Sequence, residues 1–218
     1  MMKKKLHPFE DLEKFWHRNP RELLVPDQIQ YIFRRLHMNP TTYRELWKKR
    51  CLLGEGFAEC FDSDENRDWS VGLEGQNHID AYDQTHLFVL KDLQDEEYFC
   101  DLANLFFQAL GGFITINLYW NQITSSRFPP HYDCHDIFVF QLYGKKNWNI
   151  ASPTQKLPTQ LDLNNVPSTY SESIYTDIDT GIYLPWGSWH HAEPLEKSIH
   201  VSIGIHHHPF IPQKIPPP

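Results

Sequence analysis

A cluster of side chains that can bind a metal lies in the stretch FPPHYDCHDIFVFQLYGKKNW, residues 128–148. His131, Asp133 and His135 occupy alternate positions directly before an apolar run typical of a buried strand. If that strand begins near His131, the three side chains share one face, with His131 and Asp133 about 6–7 Å apart along it. An imidazole and a carboxylate at this spacing can converge on one ion. An isolated His-x-Asp pair is nevertheless more often a surface pair, so the prediction of a metal site depends on a third ligand.

The segment GIYLPWGSWHHAEP, residues 181–194, supplies that third candidate. Its first histidine, His190, is far along the chain from His131 and would have to come from another strand. Two imidazoles and one carboxylate on one side of a metal leave coordination positions open on the other side. This donor set is typical of non-haem Fe(II) oxygenases.

Several neighbouring residues compete for a place at the metal. His191 points away from His190 if the segment is extended, and Cys134 points away from the metal by the same alternation, which favours a packing role. His135 shares the metal face, and we interpret it as a residue that supports the ligands or faces the substrate. The run His206–His208 is a packed or solvated run, with adventitious metal binding as the alternative.

A lysine is expected to point inward shortly after the metal-binding stretch. Gly144 turns the chain, after which Lys146, Trp148 and Ile150 share one face, whereas Lys145 lies on the other. An unpaired buried ammonium is costly, so an inward Lys146 predicts an anionic ligand. The alternative is that GKK is an exposed turn.

Two further segments, FITINLY (113–119) and SIHVSIGI (198–205), alternate between an apolar face and a face of small polar groups. A strand face exposed to water more often carries Lys, Glu or Arg, so the polar faces indicate a lined cavity. An ordinary solvent-exposed sheet is the alternative. The polar faces carry Thr115, Asn117, Tyr119, Ser198, His200 and Ser202.

The first 111 residues have a different pattern. Apolar residues with helical spacing predict helices in DQIQYIFRRLH, on Ile29, Ile32 and Leu36, and in QDEEYFCDLANLFFQALGG, with short strands such as HLFVLKD between them. The change to a period of two after Gly112 predicts a mainly β chain with N-terminal helices, an α+β fold.

Composition excludes several classes of protein. The net charge of -8 argues against a nucleic-acid-binding surface, which requires a basic stripe. No apolar run approaches the roughly 20 residues of a membrane span, and the basic start MMKKK is not followed by the apolar core of a signal peptide. The four cysteines are scattered, so we expect a reduced, cytoplasmic protein.

The metal-binding stretch, the YLP-x-G-x-x-H turn before His190 and the strand SIHVSIGI together resemble the JmjC-type branch of Fe(II)/2-oxoglutarate oxygenases. The resemblance covers residues 112–205, and the pattern is that of the ribosomal-oxygenase-like protein hydroxylases. It implies a double-stranded β-helix, the jelly-roll or cupin barrel, at residues 112–208. The N-terminal region 1–111 would pack on this barrel, the polar loop at about 151–173 is a candidate lid, and 209–218 form a Pro-rich tail.

The resemblance also implies roles for individual residues. His131, Asp133 and His190 match the iron ligands, and Lys146 matches the residue that binds the distal carboxylate of 2-oxoglutarate. Asn117 and Ser202 match positions that hold this cosubstrate, whereas Tyr119 is a weaker candidate and the role of His200 stays open.

The implied reaction is the hydroxylation of a protein or peptide side chain, with Fe(II), 2-oxoglutarate and O2 as cofactors and with succinate and CO2 as coproducts. Two alternatives remain open, namely the same chemistry on a small molecule and a non-catalytic metal-binding cupin. The oligomeric state is open as well.

Overall fold

The computed structural model describes residues 21–24, 27–36, 38–53, 57–61, 87–122, 128–154, 158, 160–178 and 180–206. The predicted tail at 209–218, the opening segment 1–20 and the last two histidines of the His206–His208 run lie outside these residues. In the part of the chain that the structure describes, no helix has both the length and the apolar character needed to cross a membrane.

Three α-helices and ten β-strands make up the described residues. The helices are α1 (Asp27–Leu36), α2 (Pro40–Cys51) and α3 (Glu97–Leu110). The strands are β1 (Arg21–Leu24), β2 (Ala58–Phe61), β3 (Leu87–Leu90), β4 (Phe113–Asn121), β5 (Asp136–Tyr143), β6 (Lys146–Ala151), β7 (Glu172–Thr176), β8 (Thr180–Leu184), β9 (Trp189–Pro194) and β10 (Ser198–His206). The prediction of a mainly β chain with N-terminal helices is confirmed.

Both helices predicted from apolar spacing are present. Ile29, Ile32 and Leu36 of α1 are buried, and α3 buries its own apolar face. Helix α3 ends at Gly111, whose φ of 70° lies in the left-handed region that favours glycine. Helix α2 begins after Asn39, whose side chain accepts hydrogen bonds from the N–H groups of Thr41 and Thr42.

The strands form two antiparallel sheets. The larger sheet has the order β1-β8-β5-β10-β4-β3-β2, and the smaller one has the order β7-β6-β9. Strand β10 lies at the centre of the larger sheet, between β4 and β5. The N-terminal strands β1, β2 and β3 extend this sheet at both edges, so the region before residue 112 contributes strands as well as helices.

The larger sheet is covered on both faces. One face packs the apolar side chains of β4 and β10, among them Ile116, Leu118 and Val201, against the three helices. The opposite face packs β5 and β8 against β6 of the smaller sheet through a cluster that includes Val139, Trp148 and Ile182. The polar faces of β4 and β10 therefore point between the two sheets.

The hairpin between β5 and β6 determines which of two lysines points inward. Gly144 has a φ of 69°, and an added Cβ would collide with the backbone carbonyl of Lys197, so glycine is required at this turn. After the turn, Lys145 is exposed and Lys146 is buried. Because side chains alternate along a strand, Lys146 shares the inner face with Trp148 and Ile150.

One predicted boundary is wrong. The strand expected from His131 begins at Asp136, and His131 forms only an isolated bridge with His190. The preceding Pro129 and Pro130 have no N–H group to donate to a ladder, and residues 132–135 are outside the strands, with bends at 134 and 135. His131 is therefore positioned by its bridge to His190 of β9, and Asp133 by the hydrogen bond from Gly187 in the turn before β9.

Candidate metal centre

His131, Asp133 and His190 come together between the two sheets. Each offers one possible ligand atom, and these atoms lie within 4.8 Å of one another. The Nε2 atom of His190 is 3.5 Å from Oδ2 of Asp133, and the ring centroids of the two histidines are 4.3 Å apart. This is the only group of three such residues in the described chain whose ligand atoms approach one another this closely.

The tautomers of both histidines follow from their hydrogen bonds. Nδ1 of His131 is 2.9 Å from the carbonyl oxygen of Pro129, and Nδ1 of His190 is 3.0 Å from that of Ser188. A carbonyl oxygen can only accept, so both Nδ1 atoms carry the proton. Nε2 is therefore the atom through which each ring would bind a metal, and a backbone carbonyl orients each ring, as is usual for metal-binding histidines.

The charge state of the group suits a divalent cation. Burial, followed by the neighbouring charge of His131, lowers the pKa of His190 to about 4, so its imidazole is neutral at neutral pH. Burial alone would raise the pKa of Asp133, but the surrounding histidines, His190 first, hold it below the usual value. His190 and Asp133 therefore do not form an ion pair at neutral pH. The imidazole nitrogen and the carboxylate oxygen are instead two possible metal ligands that face one point.

Backbone hydrogen bonds hold the two ligand-bearing segments against each other. His131 N–H donates to the carbonyl of His190 at 3.1 Å, and His190 N–H donates back at 2.7 Å. Gly187 N–H donates to the carbonyl of Asp133 at 3.0 Å. His190 faces the other two ligands, whereas the next residue, His191, lies 3.8 Å from Glu193, outside the group.

Asp136 anchors the turn that precedes His190, a role that the sequence did not reveal. Its buried carboxylate accepts a hydrogen bond from the Tyr183 hydroxyl at 2.8 Å and another from Trp186 N–H at 3.1 Å. These bonds link the start of β5 to the end of β8 and to the turn after it. The same turn carries Gly187, which binds the carbonyl of Asp133.

We expect Asp136→Ala to lower the free energy of unfolding by about 1–3 kcal/mol, because it removes a buried acceptor from two donors. Urea denaturation measures the loss. The matched control is Tyr183→Phe in a double-mutant cycle, in which the two losses should be less than additive. An unchanged denaturation midpoint in Asp136→Ala would contradict this role.

The metal-binding group opens into a cavity of 710 Å³. The paired strands β4 and β10 form one wall, on which Asn117 lies opposite Ser202 and Tyr119 lies opposite His200. The structure thus places Asn117, Tyr119 and Ser202 on the cavity wall, together with the three metal-ligand candidates. Burial and the charge of Asp133 raise the pKa of Tyr119, so its hydroxyl keeps its proton.

Lys146 contacts two residues of the cavity wall. Its side chain is 2% exposed, and its Nζ donates to Asn121 Oδ1 at 2.5 Å and lies 2.7 Å from His200 Nδ1. Asn121 and His200 themselves line the cavity. The His200 ring stacks on Tyr119 with a centroid distance of 4.7 Å and an interplanar angle of 3°.

A second pair of histidines also lines the cavity. His135 stacks on His206 with a centroid distance of 4.0 Å, and Nε2 of His206 lies 3.0 Å from the hydroxyl of Thr115. The His135 ring fits over Gly204, where an added Cβ would come within 2.6 Å of its Nε2 atom. His135 thus lines the cavity beside the metal-binding group without being part of it.

The long polar loop after β6 is tied to the ligand-bearing segments. The Tyr132 hydroxyl donates to the carbonyl of Gln160 and accepts from Asp162 N–H, both at 2.8 Å. The indole N–H groups of Trp186 and Trp189 donate to the carbonyl of Pro158 and to the hydroxyl of Thr154. The described part of the loop forms a cavity wall through Leu161, and its closure as a lid stays a prediction.

Cys134 lies between Asp133 and the second histidine pair. It packs against the cluster of Tyr132, Ala151 and Trp189 and also borders the cavity. Burial, followed by the charge of Asp133, raises the pKa of its thiol. A thiol that keeps its proton is a poor metal ligand, in agreement with the packing role expected from the sequence.

The donor set fits a divalent iron ion. Two imidazole nitrogens and one carboxylate oxygen can occupy one face of the metal, and the cavity borders this group. The family model for the JmjC domain matches residues 90–211, which is more than half of the chain. The chain belongs to the JmjC domain family.

Curated relatives match nearly half of this chain. Ribosomal oxygenase 2 of Rattus norvegicus is 30% identical over 102 residues, which are 44% of this chain and 22% of that protein. The bifunctional lysine-specific demethylase and histidyl-hydroxylase NO66 of Drosophila willistoni is 30% identical over 115 residues, 49% of this chain and 15% of that protein. The chain thus spans less than a quarter of the length of either relative.

Solved structures resemble the chain in fold. The ribosomal oxygenase YcfD of Escherichia coli, in complex with cobalt and succinic acid, superposes with a TM-score of 0.62 at 14% identity, over 90% of this chain and 50% of YcfD. The complex of YcfD with cobalt and 2-oxoglutarate gives a TM-score of 0.59, also at 14% identity. At 14% identity, this likeness shows that the chain shares the fold of YcfD.

Sequence reasoning missed Asn121 and left the role of His200 open, and these are the two residues that contact Lys146. Asn121 continues the alternation of Asn117 and Tyr119 by one further step, so the pattern of β4 contained the signal. His200 was on the correct strand face, but its contact with Lys146 joins residues on different sheets. No local pattern reveals such a contact.

Proposed function

We propose that this chain is an Fe(II)/2-oxoglutarate-dependent oxygenase that hydroxylates a protein or peptide side chain. The observation that carries the proposal is the combination of a two-histidine, one-carboxylate group with a buried lysine that contacts Asn121 and His200 in the wall of the same cavity. Membership of the JmjC domain family supports it.

The fold proposal follows from the two sheets. We propose that they form the double-stranded β-helix of this family, with the core at residues 112–208 and the region 1–111 packed on it. The polar residues of β4, β6, β9 and β10 that meet between the sheets support this arrangement. The strands β1, β2 and β3 would then extend the core sheet from the N-terminal region.

In the proposed site, His131, Asp133 and His190 hold the iron. Bound iron would supply the oxidising chemistry that inserts one atom of O2 into a substrate C–H bond while 2-oxoglutarate is converted to succinate and CO2. The protein orients the ligands, since Pro129 and Ser188 fix both imidazole tautomers. His190 is only 4% exposed, whereas His131 and Asp133 are half-buried and border the cavity.

Lys146 is proposed to bind the distal carboxylate of 2-oxoglutarate, with Asn117, Tyr119 and Ser202 along the cosubstrate. Asn117, Tyr119 and Ser202 lie on the wall of the cavity that also contains the metal-binding group. Asn117 accepts a hydrogen bond from Asp92 N–H at 3.1 Å through Oδ1. Its amide N–H groups are donors, and one of them interacts with the Tyr119 hydroxyl.

A protein or peptide substrate is favoured by the names of the relatives, which describe action on lysine and histidine side chains or on the ribosome. The cavity wall also carries an ion pair between Lys91 Nζ and Glu59 Oε1, which are 2.5 Å apart, as well as the stacked His135 and His206. These polar groups suit a substrate that enters with hydrogen-bonding atoms of its own.

The decisive experiment does not require the substrate. The purified chain is incubated with Fe(II), 2-oxoglutarate and O2, and succinate is measured. We expect slow succinate formation that depends on both O2 and iron. Absence of succinate, with the metal bound, would favour the non-catalytic cupin.

Screening for the substrate then distinguishes the remaining two alternatives. A panel of peptides and a panel of free amino acids and small metabolites are tested for a mass gain of one oxygen. The proposal expects a gain in the peptide panel, with the oxygen derived from O2. A gain confined to the small molecules would replace the protein substrate with a small one.

A further inference from the structure

Lys146 is a buried lysine that contacts no charged group among the described residues. The two groups that contact Lys146 Nζ are the amide oxygen of Asn121 and Nδ1 of His200. The amide carries no charge. Burial holds the pKa of His200 well below 6.5, so this imidazole is neutral as well. Among the described residues, no carboxylate lies within ion-pair distance of Lys146.

The groups around Lys146 and His200 on the neighbouring strands are also uncharged at neutral pH. Burial keeps Tyr119 protonated and His190 neutral. The carboxylate of Asp133 affects the pKa values of Tyr119 and His190. A divalent cation at the metal site would offset the charge of this carboxylate. The surrounding groups are Asn121 and Tyr119 on β4, Gln141 on β5, Thr176 on β7, His190 on β9 and His200 on β10.

The number of hydrogen bonds fits an uncharged amine. An amine has two N–H groups and a lone pair, and the two contacts at Asn121 and His200 can satisfy both N–H groups. An ammonium has a third N–H, for which the described residues provide no further acceptor. Burial accordingly holds the pKa of Lys146 well below 10.5, since an unpaired ammonium neutralises when it is removed from water.

We propose that Lys146 is an uncharged amine before 2-oxoglutarate binds, and that binding adds one proton from the solvent to its Nζ atom. This inference rests on the proposed function. The distal carboxylate of 2-oxoglutarate supplies both a charged partner for Lys146 and an acceptor for a third N–H group. The Lys146 amine, one proton and the 2-oxoglutarate dianion thus give an ammonium that is paired with the carboxylate. No other bond forms or breaks in this step.

The sign of the pH dependence follows from linkage. The carboxylate favours the ammonium, so the pKa of Lys146 is higher in the complex than in the free protein. At a pH between these two pKa values, the protein takes up a proton when 2-oxoglutarate binds. The affinity for 2-oxoglutarate then falls by about tenfold for each unit by which the pH rises. Below both values the lysine is charged in either state, and the affinity no longer changes with pH.

Titration calorimetry of the full, cobalt-loaded chain measures the proton directly. 2-Oxoglutarate is titrated at a pH of about 8, below the usual pKa of lysine, in buffers that differ in ionisation enthalpy. The slope of observed heat against buffer ionisation enthalpy gives the number of protons taken up. We expect about one proton for 2-oxoglutarate and about none for oxalate, which chelates the metal but has no distal carboxylate.

The matched variant is Lys146→Arg, whose guanidinium is charged in both states and should bind 2-oxoglutarate without proton uptake. If that variant does not fold, the comparison of 2-oxoglutarate with oxalate on the unaltered chain decides. Binding of 2-oxoglutarate without proton uptake would overturn the inference and leave the proposed function intact. If the cobalt-loaded chain did not bind 2-oxoglutarate at all, the proposed function would fail and the inference with it.

Discussion

Alanine in place of His131, Asp133 or His190 should give a protein that neither retains iron nor turns over 2-oxoglutarate. The three ligand atoms lie within 4.8 Å of one another, so each removal leaves only two donors. Loss of a group that merely orients a ligand weakens metal binding by about 10–100-fold, and loss of a ligand should exceed that. Metal content after reconstitution with Fe(II) under anaerobic conditions measures the effect, and succinate formation measures the loss of turnover.

His191→Ala is the matched control for His190→Ala, because the two histidines are adjacent and only His190 belongs to the metal-binding group. The control should retain iron. His135→Ala tests the other neighbour and should also retain iron, since His135 stacks on His206 outside the group. Iron retained by His190→Ala but lost by His191→Ala would show that the wrong histidine was chosen.

Lys146→Ala should weaken the binding of 2-oxoglutarate by roughly a hundredfold to a few thousandfold. The variant leaves the distal carboxylate buried without its partner, and breaking such a pair costs about 3–5 kcal/mol, or a factor of ten for each 1.4 kcal/mol. The metal should stay bound, because Lys146 is not among the ligand candidates. The measurement is an anaerobic titration of the Fe(II) protein, monitored by the visible charge-transfer band of the chelate.

Lys145→Ala serves as the control for this variant. Lys145 is exposed on the opposite face of the same strand, so its loss should leave the titration unchanged. Lys146→Arg should be milder than Lys146→Ala, since a guanidinium also binds a carboxylate. An unchanged titration of Lys146→Ala would remove Lys146 from the cosubstrate site and weaken the oxygenase proposal as a whole.

Much of the site could be predicted because short-range patterns determine it. Alternation along β6 placed Lys146 inward and Lys145 outward, and the structure agrees. Alternation along β4 and β10 placed Asn117, Tyr119 and Ser202 on one face, which lines the cavity. In both cases the period of a strand fixes the direction of a side chain, and this period is a property of the local backbone.

The same reasoning failed where the backbone is not a regular strand. His131 and Asp133 were assigned to one strand face, but residues 132–135 bend, and β5 begins only at Asp136. Both residues still reach the metal-binding group, because hydrogen bonds to His190 and Gly187 hold their backbone. His131 and Asp133 thus come together as predicted, although the regular strand on which this prediction was based begins only at Asp136.

The sequence by itself determined the residue types, their alternation on strands β4, β6 and β10 and the two amphipathic helices, since each depends on neighbours within a few positions. Only the tertiary structure decided that Asp136 anchors the turn before His190 and that His200 and Asn121 contact Lys146. It also showed that the described part of the long loop is tied to Tyr132. These contacts join segments that are distant in sequence, and their partners depend on how the two sheets face each other, which no local pattern encodes.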